Sequence, residues 1–194
     1  MEKQIKKIFI IVGHSDKKSF NQKLAETYAV GARENFHEVR IVNLGEINFD
    51  PILHKGYKEI QELEPDLKMI QENIKWCKHL VVFYPVWWSS MPTLLKGMFD
   101  RMWLPGFAYN FHKNGIFWDR LLKGRTATIF TTSDSNQMFL KFIFGDSAKT
   151  ISRAILWFSG FKTKVKRIYP LKDATSKEKE QWLNKMKKFG AEVY

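Results

Sequence analysis

Three stretches of the chain hold residue types from which a ligand site could be built. The first is GHSDKKSFNQKL (13–24), with His14, Ser15, Lys17, Lys18, Ser19 and Asn21 grouped at the entry to a helix. Ser19 followed by Gln22 has the spacing of a capping box. The start of a helix exposes unpaired N–H groups and partial positive charge, so an anionic phosphate fits there. A capped helix behind a polar loop explains the same residues, and the stretch alone leaves both readings open. The second stretch is YPVWWSSMPTLLKGMFDR (84–101), where Trp87 and Trp88 stand next to each other in a loop. Two indoles that a core does not need can wall a flat heterocycle, with backbone amides beside them; packing under neighbouring loops is the alternative. The third, TTSDSNQ (131–137), is rich in hydroxyls and amides, and reads either as donors to a ligand or as a turn and helix cap. Neither G-x-G-x-x-G nor G-x-x-x-x-G-K-[ST] occurs, which weighs against a dinucleotide Rossmann site or a P-loop ATPase.

The elements around these stretches explain why they would meet. Residues 7–13 (KIFIIVG) and 79–86 (HLVVFYPV) are continuous apolar runs of the kind found in strands covered on both faces. Residues 38–44 (EVRIVNL), 125–132 and 163–169 complete a set of five expected strands. Helices are expected over 20–35, 65–77, 92–104, most of 138–159, and 177–189, with 48–57 as loop. Strands alternating with helices predict a parallel sheet covered on both sides. Five of each favour an α/β flavodoxin-like doubly wound fold, strand order 2-1-3-4-5, spanning 1–194 as a single domain. In such a sheet, ligands bind outside the carboxyl ends of the strands, which is where all three stretches fall. The long aromatic connection 104–123 reads as an insertion over a site.

Composition narrows the function classes. The 194 residues, 44% hydrophobic and 27% charged, describe a folded domain rather than a disordered chain. The single cysteine, Cys77, rules out an intrachain disulfide and a Cys-based metal site. The apolar run near the N-terminus is too short for a signal peptide or a membrane span, so a cytoplasmic setting is expected. The net charge is +12, and 162–188 carries ten Lys/Arg against three Asp/Glu. That face is either merely solvated or attractive to anions. No recognisable nucleic-acid motif accompanies it, so no nucleic-acid partner is expected.

Taken together, the stretches resemble the flavodoxin-like NAD(P)H:quinone oxidoreductases, including smaller bacterial members and potassium-efflux ancillary oxidoreductases. The likeness rests on GHSDKKSFN (13–21) and on YPVWWSSMPTLLKGMFDR, which has the family's strand–Pro–aromatic loop followed by P-x-x-L-K-G-x-F-[DE]-R. FDPIL (49–53), the Thr131-Thr132 pair and ILWFSGF (155–161) add to it. The resemblance implies that His14, Ser19, Phe20 and Asn21 meet the flavin phosphate and ribityl chain. It implies that Pro85, Val86, Trp87, Trp88 and Ser89 run along the isoalloxazine, and that Thr131 and Thr132 lie near its pyrimidine end. It further implies NADH or NADPH as reductant, a quinone-like acceptor, ping-pong turnover at one open flavin face, no metal, and a homodimer to which 104–123 contributes. The short tail favours FMN over FAD. A regulatory role on a membrane transporter, or a flavodoxin-type electron carrier, is the alternative; small carriers tend to be acidic, unlike this chain.

The sequence departs from the family in one place. Larger members carry a Tyr and a His after a Thr-Thr-Gly-Gly loop that handle protons. Here those places hold Phe139 and Phe144, and the glycines are replaced by Ser133 and Asp134. No catalytic residue is therefore assigned; water, Tyr109 or His112 would supply protons. His37, His54, His79 and His112 show no ligand spacing and are expected on the surface or in loops. Asp100 and Arg101 are expected as a helix ion pair or interface contact, and Cys77 as a buried hydrophobe.

Overall fold

The computed structural model describes residues 5–113 and 115–193. Its centre is a parallel sheet of β1 (Lys7–Val12), β2 (Glu38–Asn43), β3 (His79–Pro85), β6 (Thr126–Thr132) and β7 (Lys162–Ile168). The spatial order is β2-β1-β3-β6-β7. Two short strands, β4 (Tyr109–Phe111) and β5 (Trp118–Arg120), form a separate antiparallel hairpin. With the hairpin set aside, the order is the expected 2-1-3-4-5.

The apolar runs of β1 and β3 exist because both faces of the sheet are covered. Phe9 and Ile11 face one core, with α2 (Pro65–Trp76) and α3 (Thr93–Met102). Ile8, Ile10 and Val12 face the other, with α1 (Phe20–Glu34) and α5 (Ser176–Glu192). The last two helices touch backbone to backbone: a Cβ on Gly31 would lie 2.0 Å from the Lys187 carbonyl oxygen, and one on Gly190 would lie 2.0 Å from that of Tyr28. Only glycine permits that approach.

Several expectations change. The helix expected over most of 138–159 is broken. α4 (Gln137–Phe144) stops at Gly145, whose φ of 84° no other residue adopts cheaply. The Asp146 side chain then receives the Ala148 N–H, and the chain resumes as a π-helix, Thr150–Trp157. The 104–123 connection contains the hairpin, whose rings stack on the end of that helix, Trp118 on Phe158 at 4.5 Å.

The third change concerns Arg101, which does not pair with Asp100; Lys96 takes Asp100 at 2.6 Å. Arg101 is fully buried and donates to both Glu64 carboxylate oxygens, at 3.1 and 3.0 Å, and to the carbonyls of Glu62 and Asp50. It fastens the 50–64 loop to α3. His37 lies in the loop before β2, as expected, but is buried; His79, expected on the surface or in a loop, is instead buried as the first residue of β3, where the neighbouring strands cover it; His54 and His112 are on the surface as expected. Cys77 is buried, and burial pushes its thiol up to about 12. Among the described residues, no helix is long and apolar enough to cross a membrane, and no cluster of three or more His, Cys, Asp or Glu could hold a metal.

Candidate flavin site

The parallel register places the ends of β1, β3 and β6 side by side. The Gly13 N–H bonds to the Phe83 carbonyl at 2.7 Å, and the Val86 N–H to the Thr132 carbonyl at 2.7 Å. The three loops therefore leave the sheet at one rim. Between the second and third lies a cavity of about 550 Å³. Pro85, Val86, Trp87, Trp88, Ser89 and Thr132 line it, as six of the eleven residues singled out from sequence.

The Trp loop is held open rather than packed away. Trp87 and Ser90 exchange two backbone hydrogen bonds, at 3.0 and 2.9 Å, so Trp88 and Ser89 form the tip of a tight turn. Both have positive φ, 48° and 56°. For two consecutive non-glycine residues this costs on the order of 1–3 kcal/mol each, and such strain collects at functional sites. Trp88 is 101% exposed and Trp87 45%, which removes the reading in which both indoles serve the core. The Trp88 and Ser89 N–H groups have no acceptor among the described residues.

The first loop joins this rim. His14 meets the Trp87 ring edge-on at 5.3 Å. Its Nδ1 accepts the Asp16 N–H at 2.8 Å, so the neutral ring carries its proton on Nε2. Burial lowers the His14 pKa, against the opposing pull of Asp16. Ser19 caps α1, accepting the Gln22 N–H at 3.3 Å. The capping box is only half made, because the Gln22 side chain turns to Glu26 and Asn43 instead. The Phe20 and Asn21 N–H groups, in the first turn, have no acceptors among the described residues, a donor set suited to a phosphate. Asn21 is 4% exposed and donates to Thr132 Oγ1 at 2.9 Å, tying the first loop to the third; its Oδ1 is buried with no partner. Phe20 is half-buried against the α1–α5 core.

Thr131 is fully buried and does not line the cavity. Ser133, Asp134, Ser135, Leu140, Phe144 and Leu171 line it instead. Of these, Ser133, Asp134 and Ser135 lay within a stretch already singled out, whereas nothing in the sequence pointed to Leu171, which arrives from beyond β7. Of the two phenylalanines at the proton-handling places, Phe144 faces the cavity and Phe139 does not. Neither Tyr109 nor His112 reaches it: Tyr109 packs on Phe158, and His112 pairs with Asp119 at 3.2 Å.

These parts fit a flavin: a donor set for an anion on one loop, an indole wall, and free amides beside it. A family model described as a flavodoxin-like fold matches residues 6–189. The chain belongs to the flavodoxin-like family. Within it, the chain is 28% identical to NAD(P)H dehydrogenase [quinone] 1 of Cavia porcellus over 81% of its own length, and spans 66% of that protein. It is 25% identical to ribosyldihydronicotinamide dehydrogenase [quinone] of Mus musculus, covering 94% of this chain and 91% of the relative. A solved flavodoxin-like neighbour, an FMN-dependent NADH-azoreductase from Bacillus anthracis in complex with FMN, superposes with a TM-score of 0.77. That match covers 97% of this chain and 99% of the other at 18% identity, a likeness of fold.

Proposed function

We propose that the chain is one cytoplasmic flavin-binding domain, 1–194, that uses FMN to carry electrons from NADH or NADPH to a quinone-like acceptor, as a homodimer. The observation that carries this reading is the tie between Asn21 and Thr132, which joins an unsatisfied helix N-terminus to the cavity walled by Trp87 and Trp88. A flavin supplies two-electron chemistry, accepting a hydride from the nicotinamide and passing its electrons on. The net change takes NAD(P)H, a proton and quinone to NAD(P)⁺ and hydroquinone.

The chain's residues divide the work. The Phe20 and Asn21 N–H groups and the Nε2–H of His14 would hold the phosphate end. Trp87 and Trp88, which line the cavity, would supply the aromatic wall for the flavin ring. The Trp88 and Ser89 amides and the Thr132–Ser135 loop offer donors at the ring edges, where charge develops on reduction. Asp134 is the one ionisable side chain lining the cavity among the described residues, and would be the group there able to orient a proton-delivering water. With one ring face left open, reductant and acceptor use it in turn. The relatives named quinone dehydrogenases and the FMN-bound neighbour support this reading.

The absorption spectrum of the purified protein tests it. Flavin bands that bleach on adding NAD(P)H and return on adding a quinone are the expected result; a protein without flavin, which takes none up from solution, would end the proposal.

A further inference from the structure

Leu140 and Phe144 of α4 line the cavity, and the helix's other exposed side chains are left over by the site. The helix's described side chains are apolar except for Lys141, yet they stand in water: Phe142 is 90% exposed, and Met138, Phe139 and Ile143 are more than half exposed. Behind α4 runs an open groove of about 600 Å³, where Phe144 and Trp157 lie with Lys149 and Arg153. The groove's carboxylate, Asp146, is already neutralised by Arg167 at 2.6 Å and Lys141 at 3.7 Å. Lys149 and Arg153 have no ion pair among the described residues. Rings and aliphatic chains surrounded by unpaired cations are the composition of a surface that seats in a lipid headgroup layer.

We propose that this face docks on a bilayer carrying anionic headgroups, with α4 lying in the interface. Charge complementarity selects that occupant. A second copy packed two-fold on α4 would bring two sets of Lys141, Lys149 and Arg153 into one interface, in a chain of net charge +12, whereas anionic lipid neutralises them. The docking stands on this face alone. Its consequence rests on the proposed function: Phe144 borders both groove and cavity, so the acceptor mouth would open toward the layer where quinones with long apolar tails dissolve.

The test is cosedimentation of the flavin-loaded protein with vesicles of phosphatidylcholine alone or of phosphatidylcholine with phosphatidylglycerol. Binding to the anionic vesicles, weakened by salt, is expected, with little to the neutral ones. Lys149→Gln with Arg153→Gln should weaken partition about fivefold per charge removed. Phe142→Ser with Ile143→Ser should weaken it roughly tenfold per side chain or more. Both double variants should keep parental turnover of a water-soluble quinone in buffer. Equal binding to neutral and anionic vesicles, no binding to either, or variants that bind like the parent would overturn the proposal. So would light scattering in which the Phe142→Ser, Ile143→Ser variant splits a dimer, since the face would then belong to a second copy. Vesicle binding by a protein that lacks flavin would leave this inference standing and remove the proposed function.

Discussion

Replacing Ser19 by Asp separates the fold from the phosphate site. Ser19 caps α1 by accepting the Gln22 N–H, and Asp is as good an N-cap as Ser. The apoprotein should therefore melt within about 1 °C of the parent, the change in cap energy being close to zero. Ligand binding should respond differently. The new carboxylate sits at the helix entry, beside the free N–H groups of Phe20 and Asn21. A like charge about 4 Å away costs about 1 kcal/mol in water and about 4 kcal/mol at the effective dielectric of a protein surface. Ser19 is only 9% exposed, which places the site between those limits, at about 2 kcal/mol or roughly a thirtyfold weaker Kd. Titrating apoprotein with FMN and following quenching of flavin fluorescence measures it. Ser19→Ala is the converse control: it loses the cap, costing about 1 kcal/mol of stability, without adding a repelling charge. An Asp variant that binds FMN within twofold of the parent would show that the phosphate does not sit at this helix.

Arg101→Met should lower stability in urea by about 3–5 kcal/mol, since it strands Glu64 and two carbonyls that a fully buried guanidinium satisfies; a loss under about 1 kcal/mol would contradict that role. His79, held neutral by burial first and by neighbouring Lys6, Lys164 and His37, titrates at about 4 in the folded protein. The unfolded chain takes up that proton first as pH falls, so stability should drop between about pH 6.5 and 4, by roughly 3 kcal/mol in all, and His79→Gln should flatten that part of the urea-midpoint profile. Heat-released cofactor should run with FMN on a chromatogram; a dominant FAD peak would correct the assignment. Light scattering at micromolar concentration should give about twice the 23.0 kDa chain mass if the exposed Phe111, Ile116 and Phe117 of the hairpin region meet a second copy. Varying nicotinamide at fixed quinone should give parallel double-reciprocal lines, with acceptor KM altered by Phe144→Ala and untouched by Phe139→Ala; intersecting lines would mean that both substrates bind together.

What the sequence makes legible here is what period and buried runs encode. β1 and β3 read as covered strands because every residue from Ile8 to Val12, and from His79 to Pro85, is buried. Their loops could be placed at one rim from that alone. The split of the helix at Gly145 was not readable, because QMFLKFIF and TISRAILW are both apolar enough to continue a helix, and a π-turn has no periodic signature of its own. Arg101 looked like half of a surface pair with its neighbour Asp100, since its partner Glu64 is 37 residues away. His79 betrayed nothing of its burial: a polar residue opening a strand reads as a surface position, yet it is buried and bonds Thr126 at 2.7 Å. Leu171 joins the cavity only because β7 lies next to β6, a fact of sheet order rather than of local sequence.

The outer strands bear on how the molecule associates. The sheet is bounded by β2 and β7, whose backbone edges could in principle recruit further strands. β7 reads KTKVKRI, and at the opposite border Glu38 and Arg40 stand exposed on β2. Alternating lysines along a border repel an identical strand laid beside it and guard against runaway sheet extension. Growth by strand addition is thereby disfavoured. Any self-association would fall to the loops and helices at the rims, where contact surfaces are finite.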